Sequence, residues 1–95
     1  MLKTRKEIFE AIEEERKKQI MGEGYFPSHD DLLVNEELAM AASVYAHPME
    51  GRHLADWPFG EKRYHPLEME RQKELVKAAA LIVAEIERLG RAGIR

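Results

Sequence analysis

Glu74-Leu75-Val76-Lys77-Ala78-Ala79-Ala80-Leu81-Ile82-Val83-Ala84-Glu85-Ile86-Glu87-Arg88-Leu89-Gly90 is the stretch that decides the fold. Leu75, Ala79, Ile82, Ile86 and Leu89 recur at three- and four-residue steps, the spacing that lines one face of an α-helix. The first half of this stripe is rich in small residues, so a neighbouring helix can approach closely there. The stretch predicts a helix-on-helix core, completed by a second copy of the chain. The helix it belongs to is predicted from about Leu67 to Leu89, with Gly90 closing it.

Upstream, Thr4-Arg5-Lys6-Glu7 has the capping-box form, a hydroxyl followed three positions later by a carboxylate. A first helix is predicted from about Arg5 to Met21, and Gly22-Glu23-Gly24 stops it. Its apolar face is thin, made of Ile8, Phe9, Ile12 and Ile20, and Arg16 falls on that same face. Either the Arg16 stem covers the core while its head reaches water, or its guanidinium points inward at an anion or a buried carboxylate. Ser28-His29-Asp30-Asp31 opens a second helix, predicted from about Asp31 to Ala46, with acidic residues at the positive end of its dipole. Val34, Leu38, Ala41, Ala42 and Tyr45 form its buried side, and Pro48 ends it.

His47 to Pro66 is then a connection of about twenty residues, a length uncommon in a compact domain unless it carries function. It holds Met49, His53, Leu54, Trp57, Pro58, Phe59, Tyr64 and His65 among Arg52, Lys62 and Arg63. This composition predicts an ordered segment packed over the helices or against a second subunit, since disordered linkers are poor in aromatics. The whole reads as an all-α fold: one three-helix antiparallel domain over residues 1–95, with helices at about 5–21, 31–46 and 67–89 and a long ordered loop at 47–66. The first stripe is thin and the other two are alanine-rich. Such helices are too lean to build a deep core alone, so a homo-oligomer, at least a dimer, is expected.

Composition excludes several classes. The 15 basic and 18 acidic residues are intermixed and give a net charge of -3, which argues against a duplex-DNA binder. There is no cysteine, hence no disulfide and no thiolate metal site. No apolar run approaches the roughly 20 residues a membrane span needs, and the charged start lacks a signal peptide's apolar core. The expected location is the cytoplasm, with no membrane partner.

Three groups of residues could carry chemistry. His29, Asp30 and Asp31 could hold a divalent cation, or serve only as a helix start. Glu85 sits in the apolar half of the third helix and needs a partner if buried. A buried Arg16–Glu85 pair would set helix register; the alternative has either residue facing a ligand. Tyr45, Trp57, Phe59 and Tyr64, with His47, His53 and His65, could stack on a nucleobase, while Arg52, Lys62 and Arg63 met its phosphates. The alternative makes Trp57-Pro58-Phe59 a clasp over a thin core or a dimer seam. No nucleophile–base pair and no glycine-rich phosphate loop stands out.

Glu15-Arg16-Lys17-Lys18-Gln19-Ile20, Gly24-Tyr25-Phe26-Pro27-Ser28-His29-Asp30-Asp31, Glu37-Leu38-Ala39-Met40-Ala41-Ala42, Tyr45-Ala46, Trp57-Pro58-Phe59 and Leu75 to Leu89 together resemble a family of small bacteriophage and prophage proteins. The resemblance covers nearly the whole chain. It implies a phage accessory protein, a class that often neutralises host defences, adjusts nucleotide pools or binds host proteins. A weaker likeness is to the MazG-like all-α nucleotide pyrophosphohydrolases, which hold magnesium with acidic clusters on two antiparallel helices. The matching acids here would be Glu10, Glu13, Glu14, Asp30, Asp31, Glu36 and Glu37, but nothing three residues after Glu36 or Glu37 is acidic.

The leading expectation is therefore a phage-encoded protein that sequesters a nucleotide-type small molecule, such as a host immune signal, without catalysis or cofactor. Arg16, Tyr45, His47, Trp57, Arg63, Tyr64 and His65 would form its ligand site, between subunits. The alternatives are a magnesium-dependent pyrophosphohydrolase built on His29, Asp30, Asp31 and helix glutamates, and a protein-interaction inhibitor of a host enzyme.

Overall fold

Thr4 starts the first helix by the reciprocal cap its sequence dictates. Its Oγ1 accepts the Glu7 N–H at 3.1 Å, and Glu7 Oε1 accepts the Thr4 N–H at 3.2 Å. In the computed structural model, which describes residues 1–95, α1 runs Arg5–Gly22, α2 Pro27–Asp30, α3 Glu37–Ala46 and α4 Arg71–Arg91. Leu54–Asp56 and Glu61–Arg63 each add one turn of 3-10 helix, and there is no strand. The radius of gyration, 13.1 Å, is that of a compact chain of this length. The long α4 is the axis against which the other three helices pack.

The chain makes four helices where the spacing predicted three. The helix expected from Asp31 begins only at Glu37, and a separate single turn, α2, precedes it with Pro27 at its first position. Asp30 at the end of that turn is wholly buried and bonded to Arg16, and Glu36 takes a left-handed φ of 63°. An inward anchor at Asp30 and a left-handed residue before Glu37 break what local propensity would have joined; Val34 and Asn35 are weak helix formers. Val34, expected on the buried side, is exposed, whereas Leu38, Ala41, Ala42 and Tyr45 are buried as expected.

The last helix begins at Arg71 instead of Leu67, because Leu67 turns its N–H to the Glu74 carboxylate at 3.1 Å. It continues through Gly90. Gly93, at φ 72°, provides the left-handed residue that ends the chain's last turn, and the Ile94 N–H reaches the Leu89 carbonyl at 2.9 Å.

The face α4 turns inward is a larger departure. Glu74, Ala78, Leu81, Glu85 and Arg88 are buried, together with Lys77 and Ala84, while Leu75, Ile82 and Ile86 are 44%, 48% and 63% exposed. Each of those first five residues immediately precedes one of the expected stripe. The helix is thus rotated by one residue, about 100°, from the orientation its apolar pattern favours.

The apolar core lies between α3 and α4: Leu38, Ala41, Ala42 and Tyr45 against Ala78, Leu81 and Ala84, with Tyr25 at one end. Leu33, Trp57, Phe59 and Tyr64 close over it. Helix α1 contributes no apolar residue to this core; its two buried residues are Arg16 and Gln19.

Replacing Leu38 with alanine opens a void in this core and is expected to cost about 2–5 kcal/mol in urea unfolding. Val34→Ala is expected to change stability by about 0.5 kcal/mol or less. Equal losses at the two sites would contradict this packing.

Candidate functional site

The residues between Ala46 and Arg71 are organised around one buried arginine. Arg52 donates from Nη1 to Glu74 Oε2 at 2.9 Å and from Nη2 to Glu74 Oε1 at 2.8 Å, with both side chains almost wholly buried. Its remaining donors reach the Tyr64 hydroxyl oxygen at 2.9 Å and the backbone carbonyls of Tyr45 and His47. Glu74 also accepts from Arg71 at 2.7 Å and from the Leu67 N–H. Arg71 donates further to the Tyr45 and Ala46 carbonyls. The two guanidiniums therefore cap the carbonyl end of α3, where cations are favoured.

Donors surround the Glu74 carboxylate, Arg52 foremost, and hold its pKa down to about 2 despite its burial. The same pairing pushes Arg52 above the ordinary arginine range.

The aromatic residues expected to stack on a ligand pack against one another. Tyr45 lies 5.2 Å from Trp57 and 5.7 Å from Tyr64, centroid to centroid. Trp57 lies 5.3 Å from Tyr64 and 5.6 Å from Phe59, and Phe59 meets Tyr25 edge-on at 5.3 Å. The Trp57 indole N–H donates to the Gly60 carbonyl at 2.7 Å. The Tyr45 hydroxyl accepts the His65 N–H at 2.9 Å, and burial pushes its pKa up to about 12. The rings form the clasp over the core that was the alternative reading.

The expected phosphate ligands are engaged as well. Arg63 donates to the Glu23 carbonyl at 2.7 Å and lies over the Tyr25 ring, 4.6 Å from its centroid. Arg16 points inward and is buried: it donates to Asp30 at 2.9 Å, to the Tyr25 carbonyl at 2.8 Å and to Glu87 at 3.0 Å. Its partners are Asp30 and Glu87 and not Glu85, which pairs with Arg88 one turn on at 2.6 Å. Rotation of α4 brings both Glu85 and Arg88 inward together, so they neutralise each other. Of the expected ligand residues, His47 and His65 keep exposed rings.

His29, Asp30 and Asp31 do not converge. Asp30 turns to Arg16 and Asp31 to Arg91, at 2.9 Å each, and no three His, Asp or Glu side chains meet as metal ligands would. Desolvation raises the Asp30 pKa from its ordinary value, and the Arg16 charge opposes that rise without cancelling it.

A wide groove lies elsewhere, between α1, the residues before it and the start of α4, with a volume of about 950 Å³. Its walls carry Glu7, Glu14, Glu15 and Glu23 against Lys18, Lys73 and Lys77, with His65 at one side. Lys77 is buried at its floor, 3.1 Å from Glu23 and 3.5 Å from Glu15, with its ammonium 5.7 Å from the centroid of the Tyr45 ring. Glu15 Oε2 and the neighbouring Gln19 Oε1 are buried without a hydrogen-bond partner. Gln72 clamps the leading segment by pairing with both the N–H and the carbonyl of Leu2, at 2.8 and 2.9 Å. Of the expected ligand residues only His65 lines this groove, and of the acids matched to magnesium binding only Glu14 does. A lysine inside an alanine-rich helix was the one sequence signal that could have led to it.

No family model, curated protein or solved structure matches this chain.

Because Glu74 titrates near 2 instead of near 4.5, its pairing stabilises the fold fully above about pH 4.5 and is lost as pH falls towards 2. Asp30, shifted the other way, acts with opposite sign. Comparison with Glu74→Gln isolates the effect: the variant is expected to lose about 3–5 kcal/mol at neutral pH. The gap from wild type should shrink by about 3 kcal/mol on acidification. Urea midpoints at several pH values check both; parallel pH profiles would refute the role of the pair.

Proposed function

We propose that this chain is a protein-interaction module: a small rigid scaffold that presents the outer face of α4, with the adjoining edge of α1, to another protein chain. One observation carries the reading. The most amphipathic helix of the molecule packs with its charged and small residues inward and leaves Leu75, Ile82 and Ile86 to the outside. About half of each of these side chains is still in water, so covering what remains would be worth about 1 kcal/mol each, a gain left to a partner. The interlocked rings and engaged arginines weigh in the same direction, since they leave a single chain no open aromatic platform for a nucleotide. A homo-oligomer of at least two chains belongs to this proposal, and so does action on a host protein, the class the phage resemblance implies.

Sequestration of a nucleotide-type small molecule is a second reading, favoured by the groove above Lys77. Its volume suits such a ligand, and Lys18, Lys73 and His65 stand on its wall. Four carboxylates on the same wall oppose a polyphosphate. A nucleoside triphosphate without metal is expected to raise the melting temperature of the wild type and not of a Lys18→Ala/Lys73→Ala variant; no shift with any nucleotide would eliminate this reading.

The interaction reading is tested with a photo-crosslinking amino acid placed at Ile86 and, as a control, at the exposed Lys62. Irradiation in cells is expected to give protein adducts from position 86 and none from position 62. Absence of adducts from position 86 would sink it.

A further inference from the structure

We propose that a second copy of this chain occupies the outer face of α4, packed antiparallel about a two-fold axis that passes between Ala80 and Leu81. This names the partner of the interaction face and rests on that reading. The face runs through Leu75, Ala79, Ile82 and Ile86 without a charged position, as the core of an interface requires. Beside its first half, Leu2, Ile8, Ile12 and Val76 join Leu75 and Ala79 in lining an apolar hollow of about 260 Å³. Along its second half no such hollow adjoins it, and Ile82 and Ile86 are 48% and 63% exposed. Turning one copy end for end about a two-fold axis across the helix brings the exposed isoleucines of each copy to the hollow of the other.

The register follows from the positions. Leu75 and Ile86 lie equally far from the midpoint between Ala80 and Leu81, and so do Ala79 and Ile82. The antiparallel pair therefore sets Leu75 against Ile86 of the partner subunit and Ala79 against Ile82 of the partner subunit. Large meets small at the centre, so the backbones can approach closely there, as knobs fit holes in helical pairs. Parallel pairing would instead place isoleucine on isoleucine and leave both hollows unfilled.

The area available, if fully covered, reaches the minimum for such a pair. Ile8 is 38% exposed, and at about 200 Å² for a large apolar side chain it joins Leu75, Ile82 and Ile86 to offer roughly 400 Å² per copy. With apolar atoms forming about 65% of a homodimer interface, the pair would bury roughly 1,200 Å² in all, the lower bound of specific, stable association.

The chain has no cysteine, so trapping can be placed at will. Leu75→Cys and Ile86→Cys, both at exposed positions that leave the core untouched, are expected to form a disulfide-linked dimer under mild oxidation when mixed. Neither is expected to do so alone. In the proposed register the two Leu75 positions lie about 16 Å apart along the axis, beyond the roughly 7 Å that a disulfide can span. Self-crosslinking of Leu75→Cys alone would mean parallel pairing and would overturn the proposal. So would a sedimentation profile of the wild type as a single chain with no crosslink in the mixture. In both cases the interaction reading is judged separately, by adducts from position 86 to proteins other than this chain.

Discussion

The buried pair between Arg52 and Glu74 is the contact on which the rest of the structure depends. It ties the middle of the long connection to the start of α4 and, through the carbonyls of Tyr45 and His47, to the end of α3. It also sets the rotation of α4. Glu74 must face inward to receive Arg52, Arg71 and the Leu67 N–H. With residue 74 inward, residues 78, 81, 85 and 88 follow at helical spacing. The apolar stripe, one residue later at each point, is thereby turned outward.

That rotation explains why the buried face of α4 is half charged. Lys77, Glu85 and Arg88 come inward with Glu74. Each finds an opposite charge within its own surroundings: Glu23 and Glu15 for Lys77, and Glu85 and Arg88 for each other. Arg16 does the same on α1, holding Asp30 and Glu87. A buried ion pair contributes little net stability over an apolar contact, but losing one partner is costly. Such a core tolerates few alternative packings, and it fixes the direction in which the apolar stripe looks.

The same logic separates scaffold from site. Tyr45, Trp57, Phe59 and Tyr64, with Arg52 and Arg63, are residue types that bind nucleotides in other settings, and here they hold the connection over the core. What the fold leaves unsatisfied lies elsewhere: the outward stripe on α4 and the groove above Lys77. The stripe is apolar. The groove is polar and nearly charge-balanced, so its own ion pairs must be weighed against any ligand.

Much was legible from local sequence. The all-helical class, the capping box at Thr4, the end of the first helix near Gly22, the buried run Leu38, Ala41, Ala42 and Tyr45, and the order of the aromatic connection all follow from propensity, capping and periodicity, which act over a few residues. What was not legible is longer in range. The break between Asp30 and Glu37 depends on Arg16, fourteen residues away from Asp30. The direction of α4 depends on Arg52, twenty-two residues before Glu74. Periodicity shows that a helix has an apolar face. Which face turns inward is decided by the most demanding buried partner, and here a paired carboxylate outweighed three aliphatic side chains, because leaving that charge pair unmade costs more than leaving the aliphatic residues half in water.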